Sequence, residues 1–487
     1  MKNRHKLLIS IACVAMLVSL FLPAFSAQAK ATGSLDIQSL DTYLQAQVTG
    51  NRIPGMAVAV VKDGRVLFQK GYGEAAAGKP VTPQTQFYIG SVTKSFTALA
   101  VMKLVEQGKL DLDLPVQAYI PWFKVEDARA SEQITVRHLL NHTSGLTEKG
   151  DPNAAAYTNS LEEQVRLLQF ANSATPPGDK FEYYNQNYRV LGYINEQVSG
   201  QSYGEFLKEN IFLPLGMNHT VTHPDEALDL AQGYSRFFGF PLAMQQEFIP
   251  GGLPSGYLIT TAEDMAAYMI GLLANRQLDG QPVLNPDLLA VMRTPPAGID
   301  SSYGMGWMVG EDGTTLLHGG ALNYFQSFVA LDTKDNCGFV ALYNQNSMEN
   351  MMFENSSINS DLVDFLNGKN PTPVNKAWAG LVLLALALAD LFNHIRLFRM
   401  LPRWVEKTGK QNRVWLWIKV VFGIVFPLAV ILGVPPLMNA LEGGAPDWIA
   451  PFQLMPDIVT WLLLGTTLNF IRSVLHAAAL IRKPQTN

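Results

Sequence analysis

The stretch FYIGSVTKSFTALAVMKLVEQGKL, residues 87–110, sets Ser91 and Lys94 three positions apart at the start of a long apolar run. Residues three apart share a helix face, so the Lys94 amine reaches the Ser91 hydroxyl. At a helix N-terminus, free backbone N–H groups and the positive end of the dipole favour a developing oxyanion and disfavour a protonated lysine. Partial burial lowers the lysine pKa further, as an amine requires before it acts as a base near neutral pH. A serine activated in this way attacks a carbonyl and forms an acyl-enzyme. The competing structural reading makes Ser91 a helix N-cap and Lys94 a solvated lysine of the first turn.

A third group must move the proton. PPGDKFEYYNQNYRVLGYINEQVSG, residues 176–200, offers Tyr183 and Asn185 in a Tyr-x-Asn arrangement. A tyrosine or tyrosinate beside the lysine relays the proton, and the asparagine amide orients the substrate. Two further Tyr-x-Asn triplets, Tyr157/Asn159 and Tyr193/Asn195, lack the Pro-Pro-Gly turn that places the first at a helix start.

Around this centre, MAVAVVKDGRVLFQKGYG (56–73) is two β-rich runs joined at Asp63-Gly64, residues that accept the positive φ of a two-residue hairpin turn. Strand-like runs return late, at 303–310, 314–320, 324–332 and 338–344. Helix-like periodicity dominates from Ser91 to about Ala297. The fold class is therefore α/β in the broad sense (α+β): an antiparallel sheet flanked by helices, with a helical region inserted.

With SVTK after FYIG, LLNHTSGL at 139–146, FLPLGM at 212–217 and HGG at 318–320 in this order, the chain resembles the class C β-lactamase and penicillin-binding-protein family of serine hydrolases over most of 35–366. The resemblance implies a β-lactamase/transpeptidase-like fold. It makes Ser91 the acylated nucleophile, Lys94 and Tyr183 the proton-transfer pair, and Asn185 a substrate contact. His318, Gly319 and Gly320 fall at the family's Lys-Thr-Gly position, and the N–H groups of Ala321 and Ser91 would form the oxyanion hole. Histidine at 318 departs from the usual lysine. It is mostly neutral at pH 7 and a weaker carboxylate anchor, as in the family's esterases and D-amino-acid peptidases.

Of the 487 residues, 48% are hydrophobic and 16% charged, and the apolar excess is concentrated at the two ends. Lys2, Arg4 and Lys6, an apolar run over 7–25 and the small residues of SAQAK predict a signal peptide cut after Ala29; an uncleaved anchor helix is the alternative. Cys13 lies in that run, so cleavage leaves Cys337 alone and forbids an intrachain disulfide. Apolar segments at 377–392, 414–438 and 458–481 are long enough to span a bilayer. Six cations, Arg396, Arg399, Arg403, Lys407, Lys410 and Arg413, separate the first two, whereas 439–457 has none. The positive-inside rule makes the first loop cytoplasmic, along with Arg482 and Lys483, and leaves the preceding domain outside. Lys419 and Arg472 then lie toward the cytoplasmic ends, where they snorkel. The expected division is a signal peptide (1–29), an extracytoplasmic hydrolase domain (30–373) and a three-helix membrane domain (374–487). A buried helical hairpin of a soluble protein is the bland alternative.

A Ser-His-Asp hydrolase has one foothold, Gly200-Gln201-Ser202-Tyr203-Gly204. That match follows a helix-like run where a nucleophile elbow needs a strand, so Ser202 is better an N-cap between helices. His142 reads as structural, closing the preceding helix. His138/His142 and His219/His223 lack the glutamate of a His-Glu-x-x-His site, and no metal or cofactor is called for. The exported part has no basic patch for nucleic acid. Ser255 and Gly256 either line the cleft or form a structural turn. The partners implied are a small-molecule or cell-wall-derived substrate, with a D-alanyl ester or amide as the natural guess, and the lipid bilayer. The non-enzyme alternative is a penicillin-binding-type membrane receptor.

Overall fold

The computed structural model describes residues 36–154, 156–348, 355–369, 371, 378–407, 412–442 and 447–482. The expected signal peptide and its cleavage point fall outside the described residues.

The first hairpin forms as expected: β1 (Gly55–Lys62) and β2 (Arg65–Ala76) are joined by Asp63 at φ 51° and Gly64 at φ 75°. With β3 (Lys79–Pro80), β4 (Met308–Val309), β5 (Thr315–Ala321), β6 (Gln326–Asp332) and β7 (Cys337–Tyr343) they make a seven-stranded antiparallel sheet. Its order is β3-β2-β1-β7-β6-β5-β4, so the first long strand pairs with the last, Met56 opposite Tyr343. The late strands match the sequence runs except the earliest, of which only Met308–Val309 is strand.

Helices cover both faces. On one side α1 (Ile37–Gly50) and α5 (Asn355–Leu366) bury Leu40, Leu44, Ile358 and Leu362 against Val58, Val60 and Phe339. On the other, α2 (Thr93–Glu106), α3 (Asn185–Ser199) and α4 (Ala262–Ala274) join the larger core with Ala57, Ala59 and Val61. Alternate residues of β1 therefore face opposite cores, which is why its sequence is continuously apolar rather than alternating.

One element escaped the sequence pattern. Gly233–Phe237 and Phe240–Met244 form a separate two-stranded hairpin inside the helical region. Its turn is Phe238-Gly239, at φ 51° and 79°, and a phenylalanine in the left-handed region gives no Asn-Gly or Asp-Gly signal.

The C-terminal segments are the helices α6 (Trp378–Arg399), α7 (Arg413–Glu442) and α8 (Pro456–Arg482). By length and composition all three can cross a membrane. The first is longer than the apolar run suggested, so Asp390 lies within it, with its carboxylate accepting from Trp461 Nε1 at 3.1 Å.

Candidate active site

Ser91 sits in the 3-10 turn Gly90–Val92, which leads directly into α2. The N-cap of α2 is Val92, with no side-chain hydrogen bond, so Ser91 does not cap the helix. Glycines let this turn lie on the sheet. A Cβ on Gly90 (φ 50°) would come within 2.4 Å of Ala321 N, and one on Gly320 within 2.0 Å of the Ile89 carbonyl. Ser327 Oγ on β6 donates to that same carbonyl at 2.6 Å. The serine is thereby held at the end of β5. Leu322 N bonds Phe325 O and Gly320 pairs with Ser327. In the alternating antiparallel ladder this turns the Ala321 N–H away from β6, toward the cleft.

Lys94, in the first turn of α2, is fully buried. Its Nζ lies 3.0 Å from Ser91 Oγ, 2.7 Å from Asn185 Oδ1 and 2.7 Å from the Ser255 carbonyl oxygen. Burial, and then the charge of Arg189, hold the amine well below its ordinary pKa. A neutral amine has two N–H bonds and one lone pair. The two carbonyl oxygens only accept, so they take both N–H groups. The lone pair is left for Ser91, whose hydroxyl donates to it.

Tyr183 places its ring 4.9 Å from Lys94 Nζ. The residue itself is 38% exposed. Burial raises the phenol pKa. The protonated tyrosine, rather than the tyrosinate, is the form this environment favours.

His318 on β5 is buried and faces inward. Its Nδ1 lies 2.7 Å from the Gly319 carbonyl, which only accepts, so Nδ1 carries the proton and Nε2 accepts from Tyr303 OH at 3.0 Å. Burial, then the charge of Lys94, push its pKa down to about 3. Both nitrogens are occupied and the ring is neutral, so His318 offers no cation to a substrate carboxylate.

Sequence reasoning brought Ser91, Lys94, Tyr183, Asn185, His318, Gly320 and Ala321 to one place, and the fold assembles them. Asn185 binds Lys94 directly. Ser255, which the sequence leaves between lining the cleft and forming a structural turn, and His142, read there as structural, both join the site. The Ser255 carbonyl holds the amine, and a backbone carbonyl has no sequence signature. His142, at φ 56°, does close the helix Val136–Leu140, and it also backs Tyr183 at a ring separation of 4.4 Å. Its Nδ1 accepts from Tyr184 N at 3.2 Å and from Asn187 Nδ2 at 3.1 Å. Ser202, by contrast, is the N-cap of Tyr203–Leu207 in a capping box with Glu205.

A family model described as Beta-lactamase matches residues 40–359. The chain belongs to the Beta-lactamase family. Among relatives of this family, Protein flp of Staphylococcus aureus (strain MW2) is 32% identical over 462 residues, covering 90% of this chain and 91% of that one. At 90% coverage of this chain, the similarity extends beyond the catalytic fold into the C-terminal helices. The octameric penicillin-binding protein homologue from Pyrococcus abyssi superposes with a TM-score of 0.58 at 30% identity, covering 69% of this chain and 78% of that one. EstCE1, described as a hydrolase with promiscuous acyltransferase activity, gives a TM-score of 0.55 at 26% identity over 63% of this chain and 94% of its own.

Proposed function

We propose that the protein is a membrane-anchored serine hydrolase that forms an acyl-enzyme on Ser91 and cleaves ester or amide bonds of cell-envelope, D-alanyl-type substrates. The observation that carries this reading is the allocation of the Lys94 amine. Two carbonyls at 2.7 Å take its N–H groups and leave the lone pair on the Ser91 hydroxyl. Ser91 Oγ attacks the carbonyl carbon and gives its proton to Lys94, and the N–H groups of Ser91 and Ala321 receive the oxyanion. Tyr183, protonated, passes a proton to the leaving group and regains one from Lys94, and water then attacks the acyl-enzyme by the reverse proton transfers to free Ser91.

The domain order proposed is a signal peptide over 1–29, an extracytoplasmic catalytic domain over 30–373 and a membrane domain over 374–487. The cation-rich loop between α6 and α7 supports a cytoplasmic side there. The neutral, doubly bonded His318 favours an ester or amide without an anionic anchor over a β-lactam or D-Ala-D-Ala carboxylate substrate.

The test is full-length protein in detergent with short-chain esters, a D-alanyl ester and benzylpenicillin, following turnover and intact mass, with Ser91→Ala as control. Ester turnover that vanishes in Ser91→Ala supports the reading. Penicillin acylation with turnover would move it to a β-lactamase or carboxypeptidase, and a stable adduct without turnover to a receptor. Folded protein that turns over none of these and forms no adduct overturns it.

A further inference from the structure

The cleft has a fixed height above the apolar helices. The hairpin Gly233–Phe237/Phe240–Met244 stands between them. At its tip, Phe238 N donates to Asp457 Oδ2 at 3.2 Å, in the first turn of α8. Gly239 lies against Gly380 in the first turn of α6, where a Cβ would come within 2.4 Å of Gly239 N. The tip therefore marks the level at which two spanning helices begin.

At its other end the hairpin meets the catalytic sheet. Tyr234 N donates to Asn344 O at 2.9 Å, and a Cβ on Gly233 would come within 2.9 Å of Tyr324 and Phe325, in the turn that follows Ala321. Four residue steps separate Gly233 from Phe237, about 13 Å of strand. A second tie crosses the same gap. Gln453, three residues before α8, accepts from Asn323 Nδ2 at 3.0 Å through its side chain and from Ser235 Oγ at 3.4 Å through its backbone. Asn323 is two residues past Ala321. Those five Cα steps span at most about 18 Å, plus two side chains.

The surface at this level is apolar. Phe240 and Leu242 on the outer hairpin strand are 47% and 39% exposed, and Ile449 and Phe452 of the short helix Ile449–Leu454 are 63% and 39% exposed. Trp378 and Trp448 flank the starts of α6 and of that short helix, where interfacial aromatics belong.

We infer that the site takes an ester or amide carried by a lipid-anchored molecule, presented within about 2–3 nm of the hydrocarbon edge, rather than a substrate free in solution or held on a distant polymer. Two independent ties hold the Ala321 end of the cleft at this height, so the reacting bond must come to the membrane surface. The inference rests on the acyl-enzyme reading and on α6 and α8 crossing the bilayer. It does not depend on which side of the membrane the domain occupies.

The experiment uses full-length protein in phosphatidylglycerol/phosphatidylethanolamine vesicles. The probe is one fluorogenic acyl ester, supplied free or linked to a phospholipid headgroup through spacers of ~1, 2, 5 and 10 nm. The expected result is Ser91-dependent turnover at least ~10-fold faster for the 1 and 2 nm spacers than for the free ester at equal bulk concentration, declining at 5 and 10 nm. Turnover of the free ester with no gain on any lipid-linked one overturns the inference. So does a rate that stays flat or climbs out to the longest spacer. Absence of Ser91-dependent turnover for every ester overturns instead the acyl-enzyme reading beneath it.

Discussion

Asn185 Oδ1 lies 2.7 Å from Lys94 Nζ, closer than Ser91 Oγ at 3.0 Å, and this contact directs the amine's lone pair. An uncharged acceptor holds the N–H without stabilising an ammonium. Asn185→Asp would put a carboxylate there, raise the Lys94 pKa and keep the base protonated. We expect kcat/KM for a short ester to fall ~10-fold or more at pH 7 and to recover in part above pH 9. An unchanged pH–rate profile would show that Lys94 is not the base.

Lys94→Arg retains a cation that cannot lose its proton in this pH range. Acylation of Ser91 should drop by at least ~1,000-fold at every pH from 6 to 10, measured as adduct formation with an activated ester. If Lys94 acted only through its charge, the arginine variant would keep much of the rate.

Tyr183→Phe removes the phenol hydroxyl but keeps the ring tilted against His142 at a centroid separation of 4.4 Å. The expected result is a loss of ~100-fold in kcat with a melting temperature little changed. A large fall in melting temperature with kcat intact would mark the tyrosine as structural.

Two buried histidines make the fold acid-labile. The pKa of His318 is pushed down to about 3 by burial and then by Lys94, and that of His142 well below its ordinary value, by burial first. Unfolded histidines take up protons near pH 6.5, whereas the folded ones stay neutral. Between about 6.5 and 3 the unfolded state thus binds more protons. Stability is fully present above this window and is lost as pH falls through it, by up to about 1.4 kcal/mol per pH unit per group. Thermal unfolding from pH 7.5 to 4.5 should show this slope, and His318→Gln should make it shallower.

Adjacent glycines on β5 should respond unequally. A Cβ at Gly320 would meet the Ile89 carbonyl at 2.0 Å, while one at Gly319 meets only Phe328 Cδ2 at 3.8 Å. Gly320→Ala is expected to cost ~2 kcal/mol or more and to displace Ser91 from β5, whereas Gly319→Ala should leave the melting temperature nearly unchanged. Equal effects at both positions would contradict the seating of the Ile89–Ser91 turn on the sheet.

Much of this molecule is visible one residue at a time. The Asp63-Gly64 turn, the continuous apolar face of β1 and the three C-terminal apolar runs are local patterns, fixed by φ preference, strand burial and helix length. Ser91 and Lys94 are local too, since the 3-10 turn Gly90–Val92 and the first turn of α2 hold them three apart. The hairpin at Gly233–Met244 was hidden because its turn uses Phe238 at positive φ, which packing rather than intrinsic preference sustains.

The sequence by itself determined the fold class, the Ser91/Lys94 pair, the candidates Tyr183 and Asn185, and the apolar tail, because each rests on spacing or composition, while His318 entered only through the family resemblance of its His-Gly-Gly motif. Only the tertiary structure decided the charge states and directions that chemistry needs. Asn185 and the Ser255 carbonyl, 91 and 161 residues from Lys94, meet it only after the helical region folds onto α2. Burial, a property of the whole core, then strips Lys94 and His318 of water and lowers both pKa values. The ties from Asn323 and Phe238 to Gln453 and Asp457, over separations of 130 and 219 residues, likewise exist only in three dimensions.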